Sequence, residues 1–123
     1  MAKGAAISEE HLNMRPYQLT ADYSVSGQIK PADVAGLAAM GYKSIICNRP
    51  DNEGFFQPVY ADIEKAAKEA GLECRFIPLG RPMTGDPLGD TIKAIKEMPK
   101  PILAYCASGN RSQQLFMAAS RGR

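Results

Sequence analysis

The chain has 123 residues, 45% of them hydrophobic and 23% charged. That is enough for one packed core, and it excludes a second independent domain and extensive disorder. The 15 Lys and Arg against 13 Asp and Glu leave a formal charge of +2, too balanced to make nucleic acid or an anionic membrane the expected partner.

In chain order, residues 1–14 are small and polar and are expected to form a flexible tail, with residues 15–123 as a single domain. Arg15 to Gly27 carries Tyr17, Leu19, Tyr23 and Val25 about a Thr20-Ala21-Asp22 turn, which predicts a hairpin. Ile29 to Met40 reads as a helix, with Pro31 in its first turn and Gly41 at its end. Tyr42 to Cys47 ends in Ile45-Ile46-Cys47, a short buried strand broken by Asn48-Arg49-Pro50-Asp51-Asn52. Pro58 to Ala70 puts Val59, Ile63, Ala66, Ala67 and Ala70 on one helical face, and Gly71 closes it.

Leu72 to Leu79 predicts a strand with Phe76 and Ile77 in the core. Gly80 to Gly89 is a Gly- and Pro-rich loop. Leu88 to Met98 predicts a helix, Ile102 to Tyr105 a buried strand, and a last helix carries Leu115, Phe116, Met117 and Ala119. From Ile29 onward helices and short apolar strands alternate, so the expected fold is α/β, a largely parallel central sheet flanked by helices. Ligand sites in such folds lie at the carboxyl edge of the strands.

That edge ranks the three cysteines. Cys47 and Cys106 end strands and reach it; Cys74 begins a strand and is expected at the opposite edge as a small packed thiol. The odd, scattered set is neither a disulfide framework nor a zinc pattern, and suits a reducing compartment. No metal or organic cofactor is expected. No run approaches the roughly 18 apolar residues of a membrane span. Met1 to Asn13 has no secretory apolar segment, so the expected location is cytoplasmic. The single histidine, His11, falls in the expected tail, which leaves no Cys–His pair.

Cys106-Ala107-Ser108-Gly109-Asn110-Arg111-Ser112 is the segment that carries chemistry. A buried strand delivers Cys106 to a tight loop, Gly109 permits unusual backbone angles, and a helix begins near Arg111. Loop amides converging on one point, the helix N-terminus and a forked guanidinium all favour negative charge. Cys106 should therefore titrate low and act as a thiolate nucleophile, with Ala107, Ser108, Gly109, Asn110 and Ser112 forming the anion-binding loop.

The Cys106-x-Ser108-Gly109-x-Arg111-Ser112 loop resembles two active-site loops, the persulfide-carrying loop of rhodanese sulfurtransferases and that of cysteine-dependent phosphatases. Leu19-Thr20, Ser24-Val25-Ser26-Gly27-Gln28-Ile29, Ile46-Cys47-Asn48-Arg49-Pro50-Asp51 and Ala104-Tyr105-Cys106, in order, resemble the phosphatase-like domain of beta-lactamase hydrolase-like proteins, also labelled sulfur transferases. The resemblance implies a dual-specificity-phosphatase-like fold, Cys106 as nucleophile, Arg111 as anion clamp, and Asn48, Arg49 and Asp51 on the rim. It also implies sulfide or persulfide metabolism, with a thiol acceptor and a fused or cooperating persulfide dioxygenase.

Phosphatases of this kind place one more residue between Cys and Arg than the four here, and have His where Tyr105 stands. A shorter loop encloses less space and suits a terminal sulfur atom. The expected function is therefore sulfur transfer through a Cys106 persulfide, from thiosulfate or a small persulfide. The alternative is a phosphatase working through a phosphocysteine, with Asp86, or Asp90 as its substitute, as general acid. A non-catalytic anion-binding or redox-sensing domain is the third reading. Cys47 would be a resolving thiol only if the two Cα atoms lay within about 7 Å.

Overall fold

A computed structural model of the chain describes residues 15–121; the expected tail and His11 lie outside them. The hairpin forms as β1 (Tyr17–Thr20) and β2 (Tyr23–Ser26), antiparallel with a register shift between Gln18 and Thr20. A 3-10 turn at Pro31–Asp33 precedes α1 (Val34–Ala39). The α-helix thus starts later than the sequence pattern predicts, because the Asp33 carboxylate accepts from Lys30 N at 2.8 Å and closes a separate turn. Then follow β3 (Ser44–Cys47), α2 (Tyr60–Glu69), β4 (Glu73–Phe76), α3 (Pro87–Glu97), β5 (Ile102–Tyr105) and α4 (Asn110–Arg121).

The strands lie in the order β1-β2-β5-β3-β4, and every pairing after the hairpin is parallel. β5 is central, and all four of its residues are buried, as are those of β2 and β3. Alternation across the pleat splits the core in two. Ile46 and Ala104 face Ile95, Met98 and Leu115 on the α3 and α4 side. Ile45, Cys47, Leu103 and Tyr105 face Leu37, Ile63 and Ala67 on the α1 and α2 side. This is the expected α/β sandwich, with helices on both faces.

β4 is shorter than the predicted Leu72–Leu79 strand, and it is an edge. Ile77 is buried as expected, but Phe76 is 40% exposed and stacks on Tyr60 at 4.8 Å rather than entering the core. An edge strand has one neighbour, so a residue there gets half the cover that the sequence pattern implies. No helix among the described residues is long and apolar enough to cross a membrane.

Candidate active site

β5 ends at Tyr105, and the parallel ladder runs one bond further: Cys106 N donates to Ser26 O at 3.2 Å. The loop that follows is pressed against the end of β2. A Cβ on Gly27 would meet Ala107 O at 3.0 Å, so the two backbones approach as only glycine allows. Gly109 has φ +97 and lies against Ser26. In that conformation its N–H turns inward and reaches Cys106 Sγ at 3.0 Å. α4 begins at the next residue.

Burial opposes charge on Cys106. The amides of Ser112 and Ser108, the Ser112 hydroxyl and the Gly109 amide outweigh it, and the thiol is held below its ordinary range. Ser112 is fully buried on the first turn of α4, and its hydroxyl has no hydrogen-bond partner of standard geometry. The loop residues thus gather around Cys106, whose sulfur accepts from the Gly109 amide.

Arg111 stands beside this sulfur but its fork faces outward. Nη1 donates to Glu53 Oε2 at 2.8 Å and to Leu79 O at 2.9 Å; Nη2 donates to Glu53 Oε1 at 2.7 Å. Glu53 also accepts from Arg49 Nε at 3.0 Å, and Arg49 Nη1 donates to Gln28 Oε1 at 3.0 Å. The Arg111 guanidinium above all holds the Glu53 carboxyl below its usual range; burial opposes it, and Arg49 adds a lesser pull in the same direction as Arg111. A cleft of ≈ 590 Å³ opens here, lined by Glu53, Leu79, Gly80, Arg81, Met83 and Arg111.

Cys106 thus lies buried in a loop between the central parallel strand and a helix. Residues 13–122 match the family described as beta-lactamase hydrolase-like protein, phosphatase-like domain. The chain belongs to that family. A beta-lactamase hydrolase-like protein of Agrobacterium fabrum is 32% identical over 105 residues, 85% of this chain and 24% of its own length. The chain therefore spans about a quarter of the curated relatives it matches. Among solved structures, a candidate phosphatase from Neisseria meningitidis superposes with a TM-score of 0.73 at 32% identity, covering 81% of this chain and 72% of that one. Tk-PTP in its active form shares the fold, with a TM-score of 0.55 at 14% identity, covering 88% and 84%.

Within this phosphatase-like domain the other expected site residues separate. Arg49 reaches the site through Glu53. Asn48 is 1% exposed and donates from Nδ2 to Ile77 O at 2.8 Å, while its backbone joins Tyr105 O and Leu79 N. It ties the ends of β3 and β5 to the segment that holds Arg111. Asp51 accepts from Tyr60 N at 2.8 Å and serves the start of α2. Asp86 is exposed, caps α3 by accepting from Gly89 N at 3.1 Å, and does not line the Arg111 cleft.

Cys47 lies on the α1 and α2 side of the sheet beside Tyr105. The next residue, Cys106, points the other way by the strand alternation, so the shared edge does not bring the two sulfurs together. Burial pushes the Cys47 thiol up to about 11, over the lowering effect of Tyr105 and the Arg49 backbone. Cys74 is likewise pushed up to about 11 by burial and packs as the small thiol expected. No group of three His, Cys, Asp or Glu side chains among the described residues could hold a metal ion.

Sequence reasoning missed Glu53 and Gln28. Each lies on a loop after a strand, without periodicity, and each acts through a partner at least 21 positions away. The available signal was position: both follow strands that reach the edge where Cys106 emerges.

Proposed function

We propose that this domain is a cysteine-dependent phosphatase that works through a phosphocysteine on Cys106. The observation that carries this reading is the depressed Cys106 thiol, with Gly109 N–H at 3.0 Å from its sulfur, in a domain of phosphatase-like fold. The thiolate attacks phosphorus; an S–P bond forms as the ester P–O bond breaks. The loop amides that held the thiolate then hold the phosphoryl oxygens, where negative charge is retained. Water attacks the phosphocysteine, releasing inorganic phosphate and a proton and restoring the thiolate.

The leaving oxygen needs a proton unless it is a stable anion. Asp86 is spent on Gly89 N–H, and Glu53 is held ionised. The domain therefore favours esters of acidic alcohols such as phenols. The test is turnover of p-nitrophenyl phosphate beside an alkyl phosphate, with Cys106→Ser as control. Aryl turnover that depends on Cys106 supports the reading; equal rates for both esters would remove the acid-free mechanism.

The same lack of a placed acid favours a second reading, sulfur transfer, because a sulfite or thiolate leaving group departs without a proton. Here the Cys106 thiolate bonds to the outer sulfur of thiosulfate or a small persulfide as the donor's S–S bond breaks, releasing sulfite or a thiolate; an acceptor thiolate then takes that sulfur as its own persulfide and restores the Cys106 thiolate. A persulfide dioxygenase fused to it or acting beside it belongs to this reading. Intact mass after thiosulfate tests it: one added sulfur on the parent protein and none on Cys106→Ser.

A further inference from the structure

Glu53 reaches Arg111 from a built turn. Gln57 Oε1 accepts from Glu53 N at 3.1 Å and Gly54 N at 3.0 Å, and its Nε2 donates to Pro50 O at 2.8 Å. The turn carries Phe55 and Phe56 fully exposed, so shifting it breaks no apolar packing. Both Nη atoms of Arg111 are already bound to the Glu53 carboxylate, in the parallel geometry a bidentate oxyanion also needs. An anion on the Cys106 loop would share one guanidinium with a second negative group, and like charges at such range repel.

We propose that Glu53 is a built-in competitor for Arg111: an oxyanion binds productively only by taking the Arg111 fork from the Glu53 carboxylate. This rests on reading the Cys106 loop as an anion-transfer site. The exchange does not strand Glu53, because Arg49 Nε remains beside it at 3.0 Å and is steadied by Gln28. Side chains of Arg111 and Glu53 are 29% and 33% exposed, so both have room to turn. The site then selects ligands that outbid a carboxylate for a guanidinium. A dianionic tetrahedral group qualifies; a monoanionic carboxylate does not.

The test compares the full chain with its Glu53→Gln variant. Tungstate affinity, by calorimetry, should rise about tenfold in the variant. The rate of Cys106 alkylation by iodoacetate, relative to neutral iodoacetamide, should rise with it, because a freed guanidinium attracts only the charged reagent. Weaker or unchanged tungstate binding, with the alkylation ratio flat, overturns the proposal and makes Glu53 a positioning residue for Arg111. If this happens while the parent still turns over p-nitrophenyl phosphate, the competitor role alone falls. If neither protein binds tungstate and no ester turns over, the phosphatase reading falls with it.

Discussion

Cys47 ends β3 and Cys106 follows the last residue of the adjacent parallel strand β5, one residue apart in register, and both are buried. One is pushed up to about 11 and the other is held below its ordinary range. Burial acts against the thiolate in both. The difference lies in what the chain does next. After Cys47 it runs into Asn48-Arg49-Pro50, and the thiol's own bond goes outward to Arg49 O at 3.3 Å. After Cys106 it folds back through Gly109, and amide donors turn onto the sulfur. A reactive thiol here is made by the backbone that follows it, and strand-end position alone does not make one.

The hardest way to break this comparison is to remove each sulfur in turn. Cys106→Ser should lower p-nitrophenyl phosphate turnover on the order of 10^6-fold, the scale on which losing a nucleophile acts; Cys47→Ser should leave it within about twofold. Similar losses from both would mean that the sheet edge, and not the loop, makes the nucleophile.

A pH series sharpens the same contrast. A lowered pKa keeps Cys106 as thiolate until pH falls through that lowered value. A raised one keeps Cys47 protonated until pH climbs toward 11. Peptide mapping after iodoacetamide at neutral pH should find Cys106 modified about 100-fold faster than Cys47. Ser112→Ala should move the Cys106 profile to higher pH and slow its neutral alkylation several-fold, about the worth of one charge-assisted bond; an unmoved profile would leave the thiolate to the backbone amides alone.

Two smaller effects test the loop and its surroundings. Gly109→Ala forces a Cβ into a φ of +97, at a cost of about 1–2 kcal/mol, so thermal unfolding should shift down by several degrees and Cys106 alkylation should slow. Asp86→Asn should change neither turnover nor melting temperature measurably, since Asn also caps helices. A large fall in ester turnover would return Asp86 to the role of proton donor.

The Cys106–Ser112 loop was legible because its determinants are local: a buried strand, a glycine and a helix start lie within a few residues. The alternating order of elements gave the layered sheet for the same reason. Strand length at the edge was not legible, since Phe76 loses its cover through strand order, which apolar pattern does not encode. Asp51 and Asp86 looked like site acids because capping and catalysis draw on the same residue type; only the partner, Tyr60 N or Gly89 N, separates them. Glu53 meets Arg111 across 58 positions of chain, and that pairing exists only once the sheet has assembled.

The strand order carries one more consequence. β2 and β3 are not neighbours; β5, which follows both in the chain, lies between them. Until a ribosome has released residues 102–105, two apolar strands have no common partner and the amide loop has no wall at Ser26. Such late, long-range closure is the slow step in topologies of this kind. Cys106 therefore meets its amide donors and the Ser26 wall only in the event that seats β5 between β2 and β3.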